Sequence, residues 1–281
     1  MSQFGEIYRD EDVDISVLHG KTIAIIGYGS QGHAHALNLK ESGCNVIIGL
    51  YEGSKSWKKA EEQGFKVYVA AEAAKKADII MILINDELQA DMYKKDIEPN
   101  LEEGNMLMFA HGFNIHFNQI VPPKNVDVTM IAPKAPGHTV RSEYQAGKGT
   151  PCLVAVEQDA TGKAYDRVVA LGIGVGSGYL FETTFKREVY SDLTGERGTL
   201  MGAIQGILLA QYEVLRENGH SPSEAFNETV EELTQSLMPL FGAKGMDWMY
   251  ANCSTTAQRG ALDWAPRFRE AIKPVMEWLY Y

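Results

Sequence analysis

Short runs of apolar residues alternate with helix-like patterns through the first two thirds of the chain. Continuous apolar runs between polar turns are typical of strands that are buried on both faces of a parallel sheet. The predicted strands are Thr22–Ile26, Val46–Leu50, Lys66–Val69, Asp78–Ile84, Met106–Ala110, Val128–Ala132, Cys152–Val156 and Tyr179–Glu182. Helical patterns between them, such as Lys58–Gln63 and Ala71–Ala77, predict an α/β domain with an open, mostly parallel, doubly wound sheet.

The strand pattern stops after Thr184, and helical patterns continue from there. We therefore place a domain boundary near residue 183, between an α/β domain (1–183) and an all-α domain (184–281). Apolar side chains between Thr199 and Leu215 fall on every side of a helical wheel, which predicts a buried helix. A Ser-Pro start at residues 221–222 predicts a further helix, Ser223–Leu240. The aromatic residues that end the chain are expected to be exposed unless a partner covers them.

A glycine-rich turn follows the first predicted strand and opens a helical pattern. A GxGxxG motif between strand and helix is typical of a Rossmann-type dinucleotide-binding domain. Gly27 permits the tight turn, Gly29 lets the backbone approach a pyrophosphate, and Gly32 allows the helix to pack closely on the strand. The free N–H groups at the helix N-terminus would bind the phosphates. The alternative is a glycine-rich turn without a ligand.

The end of the second strand carries a candidate for cofactor specificity. An acid about 20 residues past the glycines usually binds the ribose 2′-hydroxyl of NAD and repels the 2′-phosphate of NADP. Glu52 occupies that place, which favours NADH, although a solvated loop acid is the alternative reading. Ser54, Lys55 and Ser56 would instead suit a phosphate, so NADPH stays open.

Polar side chains follow three further strands, at the edge of the sheet where ligands bind in such folds. The segment Asn85–Gln89 follows the predicted strand Asp78–Ile84, and His111 follows Met106–Ala110. A loop at Pro133–Arg141 contains Lys134 and His138, which makes it basic in an acidic protein. Two prolines and a glycine are expected to hold this loop rigid.

The helical half contains two pairs of carboxylates spaced four residues apart. Asp192 and Glu196 leave one face of a helix, and a buried charge there requires a cation, either the neighbouring Arg197 or a divalent metal. Glu228 and Glu232 form the second pair, on a helix without lysine or arginine. A solvated acidic face is the alternative. Two facing pairs would form a four-carboxylate metal site, and Glu228 and Glu232 could complete the site of a second chain.

Composition narrows the classes of partner. The 281 residues are 45% hydrophobic with a formal net charge of −11, and this negative charge disfavours nucleic acid and anionic membranes as partners. Three distant cysteines give neither a disulfide framework nor a CxxC metal site, which fits a reducing compartment. No apolar stretch is long enough to span a membrane, and the acidic N-terminal segment resembles neither a signal nor a transit peptide. We expect a cytoplasmic protein.

Seven stretches together resemble the ketol-acid reductoisomerase (acetohydroxyacid isomeroreductase) family in its short, class I form. They cover most of the chain and are specific in combination. They read GYGSQGHAHALNLKESG (27–43), NDELQ (85–89), FAHGFNIHFNQI (109–120), IAPKAPGHTVRSEY (131–144), ETTFKREVYSDLTGERG (182–198), AFNETVEEL (225–233) and CSTTAQRGALDW (253–264). In this family two chains interlock and each active site uses both, so the resemblance implies a homodimer with shared sites, or a larger assembly of such dimers.

The resemblance implies a reaction in two steps at one site, within valine, isoleucine and leucine biosynthesis. An alkyl group of a 2-acetohydroxy acid, such as 2-acetolactate or 2-aceto-2-hydroxybutyrate, migrates on two Mg²⁺ ions, which act as Lewis acids. The resulting 2-keto acid is then reduced to a 2,3-dihydroxy acid by hydride from NAD(P)H. Two rival readings are a metal-free 2-hydroxyacid-type dehydrogenase and a module that senses NAD(H) without chemistry.

Matching positions carry the family's site residues onto this chain. The implied catalytic residues are His111, Lys134 and Glu232, and Ser254 is the implied substrate contact. The implied metal ligands are Asp192, Glu196, Glu228 and Glu232. The cofactor contacts implied by the motif and by these matches are Gly27, Tyr28, Gly29, Ser30, Gln31, Gly32, Tyr51, Glu52, Ser54, Ser56, Asp86, Glu87, Leu88, Gln89 and Gly137.

The chain departs from the family pattern in two places. Many relatives place an arginine for the NADPH phosphate where this chain has Tyr51, followed by Glu52. We therefore predict NADH as the cofactor, with NADPH as an alternative. Relatives also extend past this C-terminus, so we expect the helical domain to be incomplete here.

Overall fold

A computed structural model describes residues 7–281, which divide into two compact units. The first unit ends at Val189 and the second spans Tyr190–Tyr281. The domain boundary that the strand pattern suggests, between residues 183 and 184, stays a prediction.

The first unit is built on one nine-stranded sheet of order β1-β9-β8-β7-β6-β5-β2-β3-β4. Strands β2 to β7 pair in parallel with their neighbours, while β1–β9 and β7–β8 are antiparallel. The prediction of a mostly parallel, doubly wound sheet is therefore confirmed. The strands are β1 (Ile7–Tyr8), β2 (Thr22–Ile26), β3 (Asn45–Leu50), β4 (Lys66–Val69), β5 (Ile79–Ile82), β6 (Met106–Phe109), β7 (Asp127–Pro133), β8 (Thr150–Gln158) and β9 (Ser177–Glu182).

Helices connect these strands along the chain. The α-helices that begin in this unit are α1 (Ser30–Glu41), α2 (Trp57–Glu62), α3 (Ala70–Lys76), α4 (Asp86–Met92), α5 (Phe113–His116), α6 (Gly137–Gln145), α7 (Ala164–Val175) and α8 (Phe185–Leu193). Shorter turns of 3-10 helix lie at Asp10–Asp12, Ile15–Leu18 and Glu98–Asn100, and a π-helical turn lies at Tyr93–Ile97.

The central strand β2 is buried on both faces, which explains its uninterrupted apolar sequence. Ile23 and Ile25 pack into one core with side chains of α1 and α7, such as Leu39. Ala24 and Ile26 pack into the other core, which includes Ala73 of α3. The sheet is therefore covered on two sides, and its strand ends are left to form the site.

Three features of this unit differ from the sequence-based expectation or escaped it. Strand β1 is only two residues long and pairs with β9, which is far away in the sequence. It is too short to show a periodic pattern of apolar residues. Helix α7 lies in a segment for which no helix was predicted. The segment expected as a rigid loop through Arg141 becomes helical at Gly137, because Pro136 immediately precedes the first turn of α6.

His35 of α1 is fully buried, and neither of its ring nitrogens has a hydrogen-bond partner in the structure. Burial disfavours the charged ring and lowers its pKa to about 3. The unfolded chain, with an ordinary histidine pKa near 6.5, therefore binds more protons than the folded chain at acid pH. Folding stability should fall as the pH drops below that value.

We expect His35→Leu to remove this acid sensitivity. Between pH 7 and pH 5 the variant should gain about 2 kcal/mol of stability relative to the parent, since each pH unit below the unfolded pKa costs about 1.4 kcal/mol. Urea unfolding followed by circular dichroism at both pH values measures the difference. Replacement of the exposed His138 by leucine is the control. Equal pH dependence in parent and His35→Leu would contradict the assignment.

The second unit is entirely helical among residues 190–281. Its α-helices are α9 (Ile204–Glu217), α10 (Pro222–Phe226), α11 (Met238–Lys244), α12 (Met246–Asn252) and α13 (Thr255–Tyr280). Two π-helical segments, Thr194–Ala203 and Asn227–Leu237, continue directly into α9 and α11. The predicted start of a helix at Ser221–Pro222 is confirmed by a capping box between Ser221 and Glu224.

The expectation of a buried helix at 199–215 is wrong for the single chain. Helix α9 contains no buried residue, and Leu209 is 58% exposed. Within residues 190–281 the buried positions are Gly198, Ala225, Thr229 and Met249. An apolar pattern predicts that a helix will be covered, but it does not say that its own chain provides the cover.

Along residues 7–281, no helix combines the length and the hydropathy that crossing a bilayer requires.

Candidate dinucleotide and catalytic sites

The turn after β2 has the geometry that the glycine motif predicts. Gly27 has a φ of +101°, and a Cβ there would lie 2.7 Å from the side chain of Ile84. A Cβ at Gly32 would lie 2.3 Å from the Gly27 carbonyl oxygen, so only glycine lets α1 start this close to the strand. A Cβ at Gly29 would meet nothing within 4 Å. The space over Gly29 is therefore open for a ligand to approach the backbone.

Helix α1 begins at this turn without a side-chain cap. Its first N–H groups are therefore available to an anion, which the helix dipole also favours. Tyr28, the second residue of the motif, is buried, and its hydroxyl donates to the Gln63 side chain at the end of α2. Burial raises the pKa of Tyr28 to about 12, so its hydroxyl stays a proton donor at neutral pH.

A cavity of about 300 Å³ lies beyond the carboxyl ends of β2, β3 and β5. Strand β2 pairs with β5 on one side and with β3 on the other, so the cavity occupies the point where the strand order reverses. Ligands bind at this point in doubly wound sheets. Seven of the predicted cofactor contacts line the cavity: Gly27, Tyr28, Gly29, Tyr51, Ser54, Ser56 and Leu88.

The other predicted cofactor contacts do not line the cavity. These are Ser30, Gln31, Gly32, Glu52, Asp86, Glu87, Gln89 and Gly137. Gln89 is buried and donates to the Ile84 carbonyl and to Asp86, while it accepts from Asn114. The Gln89 side chain therefore braces the start of α4, a role that the sequence did not indicate.

The segment after β3 turns at Gly53, which has a φ of +81°. Tyr51 and Glu52 are exposed, whereas Ser54 and Ser56 are half-buried on the cavity side. Lys55 also lines the cavity. Glu52 stands in the same turn as Lys55 but does not line the cavity.

A buried carboxylate joins the ends of β6 and β7. Glu188 of α8 is 1% exposed, and its Oε2 lies 3.0 Å from His111 Nδ1 and accepts from the Gly112 N–H. The Lys134 ammonium lies 3.5 Å from the other oxygen, Oε1. The structure therefore brings together two predicted catalytic residues, and Glu188 is the group that joins them.

Sequence reasoning missed Glu188. It stands in the quoted motif ETTFKREVYSDLTGERG, four residues before Asp192, but as one of four acids in the run it carried no separate signal. Its buried position on α8 could have been anticipated from Phe185 and Val189, which are buried on the same helix. Arg141, counted with the basic loop, instead forms an ion pair with Glu41 of α1.

The predicted metal ligands lie on or beside the two π-helical segments of the second unit. Asp192 is half-buried, while Glu196, Glu228 and Glu232 are exposed. Within residues 190–281, no three carboxylate, histidine or cysteine ligands come within metal-binding distance of one another. One chain's second unit alone therefore does not assemble the four-carboxylate site.

Ser254, the predicted substrate contact, is exposed and begins α13. Its hydroxyl accepts from the Ala257 N–H at 3.2 Å, which caps the helix.

The sheet order, the glycine turn and the cavity at the strand reversal define a Rossmann-type, dinucleotide-binding protein with a helical C-terminal part. The class is narrowed further by comparison with known proteins. Residues 17–179 match the family model of the acetohydroxy acid isomeroreductase NADPH-binding domain, and residues 185–281 match that of the ketol-acid reductoisomerase C-terminal domain. The chain belongs to the ketol-acid reductoisomerase family.

Relatives extend this agreement over most of the chain. A ketol-acid reductoisomerase (NAD(+)) from Desulfosudis oleivorans is 56% identical over 94% of this chain and 77% of its own length. A mitochondrial ketol-acid reductoisomerase from Neurospora crassa is 54% identical over 92% of this chain and 66% of its own length. The chain thus spans two thirds to three quarters of these relatives.

A solved structure shares the fold closely. An NADH-preferring ketol-acid reductoisomerase from an uncultured archean has a TM-score of 0.92 and 40% identity, covering 98% of this chain and 86% of its own. The family and fold expected from the sequence motifs are therefore confirmed.

Proposed function

We propose that this chain is a ketol-acid reductoisomerase that converts a 2-acetohydroxy acid, such as 2-acetolactate or 2-aceto-2-hydroxybutyrate, into a 2,3-dihydroxy acid in branched-chain amino-acid biosynthesis. The observation that carries the proposal is the Glu188 carboxylate, which holds His111 and Lys134 together at the carboxyl edge of a dinucleotide-binding sheet. When bound, Mg²⁺ would supply Lewis-acid stabilisation for alkyl migration, and a nicotinamide dinucleotide would supply the hydride.

The dinucleotide fits the observed cavity. Gly29 leaves open space over the backbone, and the uncapped start of α1 offers N–H groups to a pyrophosphate. Ser54 and Ser56 offer hydroxyl groups at the far wall. We infer NADH as the cofactor, with NADPH as an alternative, because Glu52 and Lys55 stand in the same turn after β3. The relative from Desulfosudis oleivorans is named as an NAD(+) enzyme and the solved archaeal structure as an NADH-preferring one, which supports NADH.

The metal proposal rests on the chemistry of the donor set. Asp192, Glu196, Glu228 and Glu232 are the hard carboxylate ligands that Mg²⁺ prefers, and none of the described residues forms an ion pair with Glu228 or Glu232. We propose that Asp192 and Glu196 of one chain and Glu228 and Glu232 of a second chain hold two Mg²⁺ ions. The exposed apolar helices of the second unit support a homodimer, or a larger assembly built from it.

Roles for individual residues follow from their contacts. The Glu188 carboxylate favours the histidine tautomer with its proton on Nδ1, which leaves Nε2 as the proton-accepting nitrogen of His111. Lys134 donates hydrogen bonds and positive charge where the substrate's oxygens gain negative charge. Glu232 is proposed both as a ligand and as a proton-transfer group, and Ser254 as a substrate contact. A cytoplasmic location stays a prediction.

A coupled absorbance assay tests the function directly. Oxidation of NADH by 2-acetolactate should occur with Mg²⁺ and stop with a chelator. Oxidation that continues undiminished with chelator would favour a metal-free hydroxyacid dehydrogenase. Tight NADH binding without any oxidation, in the presence of Mg²⁺, would contradict the proposed activity of this chain.

Glu52 gives a prediction of its own. Glu52→Ser removes the charge that repels a 2′-phosphate, so the ratio of kcat/KM for NADH over NADPH should fall by about tenfold, roughly the effect of 1.4 kcal/mol. Steady-state kinetics with both cofactors measure the ratio. Glu61→Ser, on the exposed side of α2, removes the same charge away from the cavity and serves as the control. An unchanged ratio in Glu52→Ser would contradict the proposed role of Glu52 in favouring NADH over NADPH.

A further inference from the structure

The first turn of α1 is bonded directly to the segment that precedes α6. The Gln31 side chain donates through Nε2 to the Ala135 carbonyl at 3.0 Å, and the Gly137 N–H donates to Ser30 Oγ at 3.1 Å. A Cβ at Gly137 would lie 1.7 Å from the Ser30 carbonyl oxygen. The two backbones therefore touch, and the hydrogen bonds fix them at that distance.

The same segment carries Lys134. Its backbone N–H is held by the Pro151 carbonyl, and its ammonium lies beside Glu188. Lys134 therefore sits between two anchors, the sheet on one side and the Ala135 link to Gln31 on the other. A movement of the first turn of α1 would be passed to the lysine through one peptide unit.

Gln31 has capacity for a further bond. Its Oε1 is buried and accepts no hydrogen bond in the structure. A buried acceptor without a donor is costly, so this atom requires an explanation. Gln31 stands in the turn proposed to bind the dinucleotide, and a bound ribose hydroxyl or ordered water would satisfy Oε1.

We propose that Gln31 is a positioning residue, which holds Lys134 in its working place through Ala135 and so links the dinucleotide turn to the substrate-side lysine. The proposal rests on the proposed function and deepens it. In this proposal Gln31 affects the turnover rate by positioning Lys134, whereas an ordinary cofactor contact would affect only the affinity for the dinucleotide.

Kinetics separate these two roles. Gln31→Leu has a similar volume but cannot donate to Ala135, and we expect its kcat to fall by about tenfold to a hundredfold, as small misplacements of a reacting group do. The dissociation constant for NADH, measured by fluorescence titration, should change by less than about threefold, because backbone N–H groups dominate the phosphate site. An equal loss in kcat and in NADH affinity would make Gln31 an ordinary cofactor contact and overturn the proposal.

A double-variant cycle tests the route. If Gln31 acts through Lys134, then Gln31→Leu should cost little further activity in a Lys134→Ala background. Multiplicative losses in the double variant would show that the two residues act independently, which would overturn the proposal.

A measurement without catalysis keeps the inference separate from the proposed function. In hydrogen exchange on the cofactor-free chain, Gln31→Leu should speed exchange in peptides that cover residues 133–141. Ser42→Ala is the matched control, because Ser42 bonds Tyr144 and the Gly174 carbonyl at the opposite end of α1. That variant should leave kcat unchanged and should not speed exchange at residues 133–137.

The outcomes are distinguishable. A parent chain without reductoisomerase activity would refute the proposed function, while faster exchange at 133–141 in Gln31→Leu would still support the link. A parent that turns over and a Gln31→Leu variant with parental kcat and parental exchange would refute the positioning role and leave the proposed function standing.

Discussion

Asp192→Asn is expected to abolish alkyl migration while NADH binding remains nearly intact. The substitution keeps the size of the side chain but removes an anionic ligand from the proposed Mg²⁺ site. If the metal provides several kcal/mol of charge stabilisation, its weakened binding lowers turnover by about a thousandfold or more. The dinucleotide turn at Gly27–Gly32 belongs to the first unit and is built from other residues.

Consumption of 2-acetolactate measures the first effect, and NADH fluorescence titration measures the second. Glu213→Gln, on the exposed surface of α9, removes one charge from the same unit and should retain parental activity. A parental rate of isomerisation in Asp192→Asn would show that this carboxylate is not a metal ligand.

The same variant also tests whether two chains share each site. Asp192→Asn and Glu228→Gln chains should each be inactive alone. If each site takes Asp192 from one chain and Glu228 from its partner, then every mixed dimer has one intact site, and random mixing restores about one quarter of the parental activity. Co-expression or refolding of the mixture provides the measurement. No restoration in a mixture shown to contain mixed dimers would contradict shared sites.

Glu188→Gln is expected to produce the second large loss. Glutamine keeps the volume of the side chain but removes the buried negative charge that faces Lys134 and His111. The Glu188 carboxylate orients His111 and Lys134 through its two oxygens, and small misplacements of a reacting group lower rates by about a hundredfold. We therefore expect turnover to fall by at least about a hundredfold.

Turnover per folded molecule distinguishes this role from a purely structural one. Because the Glu188 carboxylate contacts both His111 and Lys134, Glu188→Gln should lower kcat even in the fraction of the protein that is folded. Urea unfolding followed by circular dichroism measures the folded fraction, and steady-state kinetics measure kcat. Glu182→Gln, an exposed acid at the end of β9, is the control. A parental kcat in the folded fraction would assign Glu188 to folding alone.

Much of the first unit could be predicted because its signals are local. Strands β2, β3 and β6 lie within one residue of their predicted bounds, since continuous apolar runs are what burial on both faces of a sheet requires. The glycine turn was equally clear, because its steric demands leave few alternatives at Gly27 and Gly32. Strand β1 was missed because two residues carry no periodicity.

The proposed catalytic residues could be predicted from the sequence only in part. His111 was a candidate because it follows a strand, and the role of Lys134 was implied by the resemblance to the family. Glu188 lies more than fifty residues from both in sequence, and only the fold brings its carboxylate to them. Residue spacing in the sequence does not predict that one acid contacts two basic side chains so far away.

The sequence pattern also did not predict that the helix is π-helical at residues 194–203 and 227–237. The i, i+4 spacing of the acids was read on an α-helix, whereas three of the four proposed ligands, Glu196, Glu228 and Glu232, lie on π-helical turns. Wider turns of this kind are rare and occur often at functional sites. Residue spacing alone does not distinguish the two helix types.

Because β1 pairs with β9, the sheet of the first unit can be completed only after its last strand has been synthesised. Ile7 pairs with Phe181, so the earliest described strand must wait for nearly the last residues of the unit before it has a partner. Until β9 leaves the ribosome, the growing sheet ends in an unpaired edge that could join to another chain. A nascent chain that pauses before residue 177 is therefore the form in which β8 is left as an unpaired edge, and the emergence of Glu182 completes the strand that covers it.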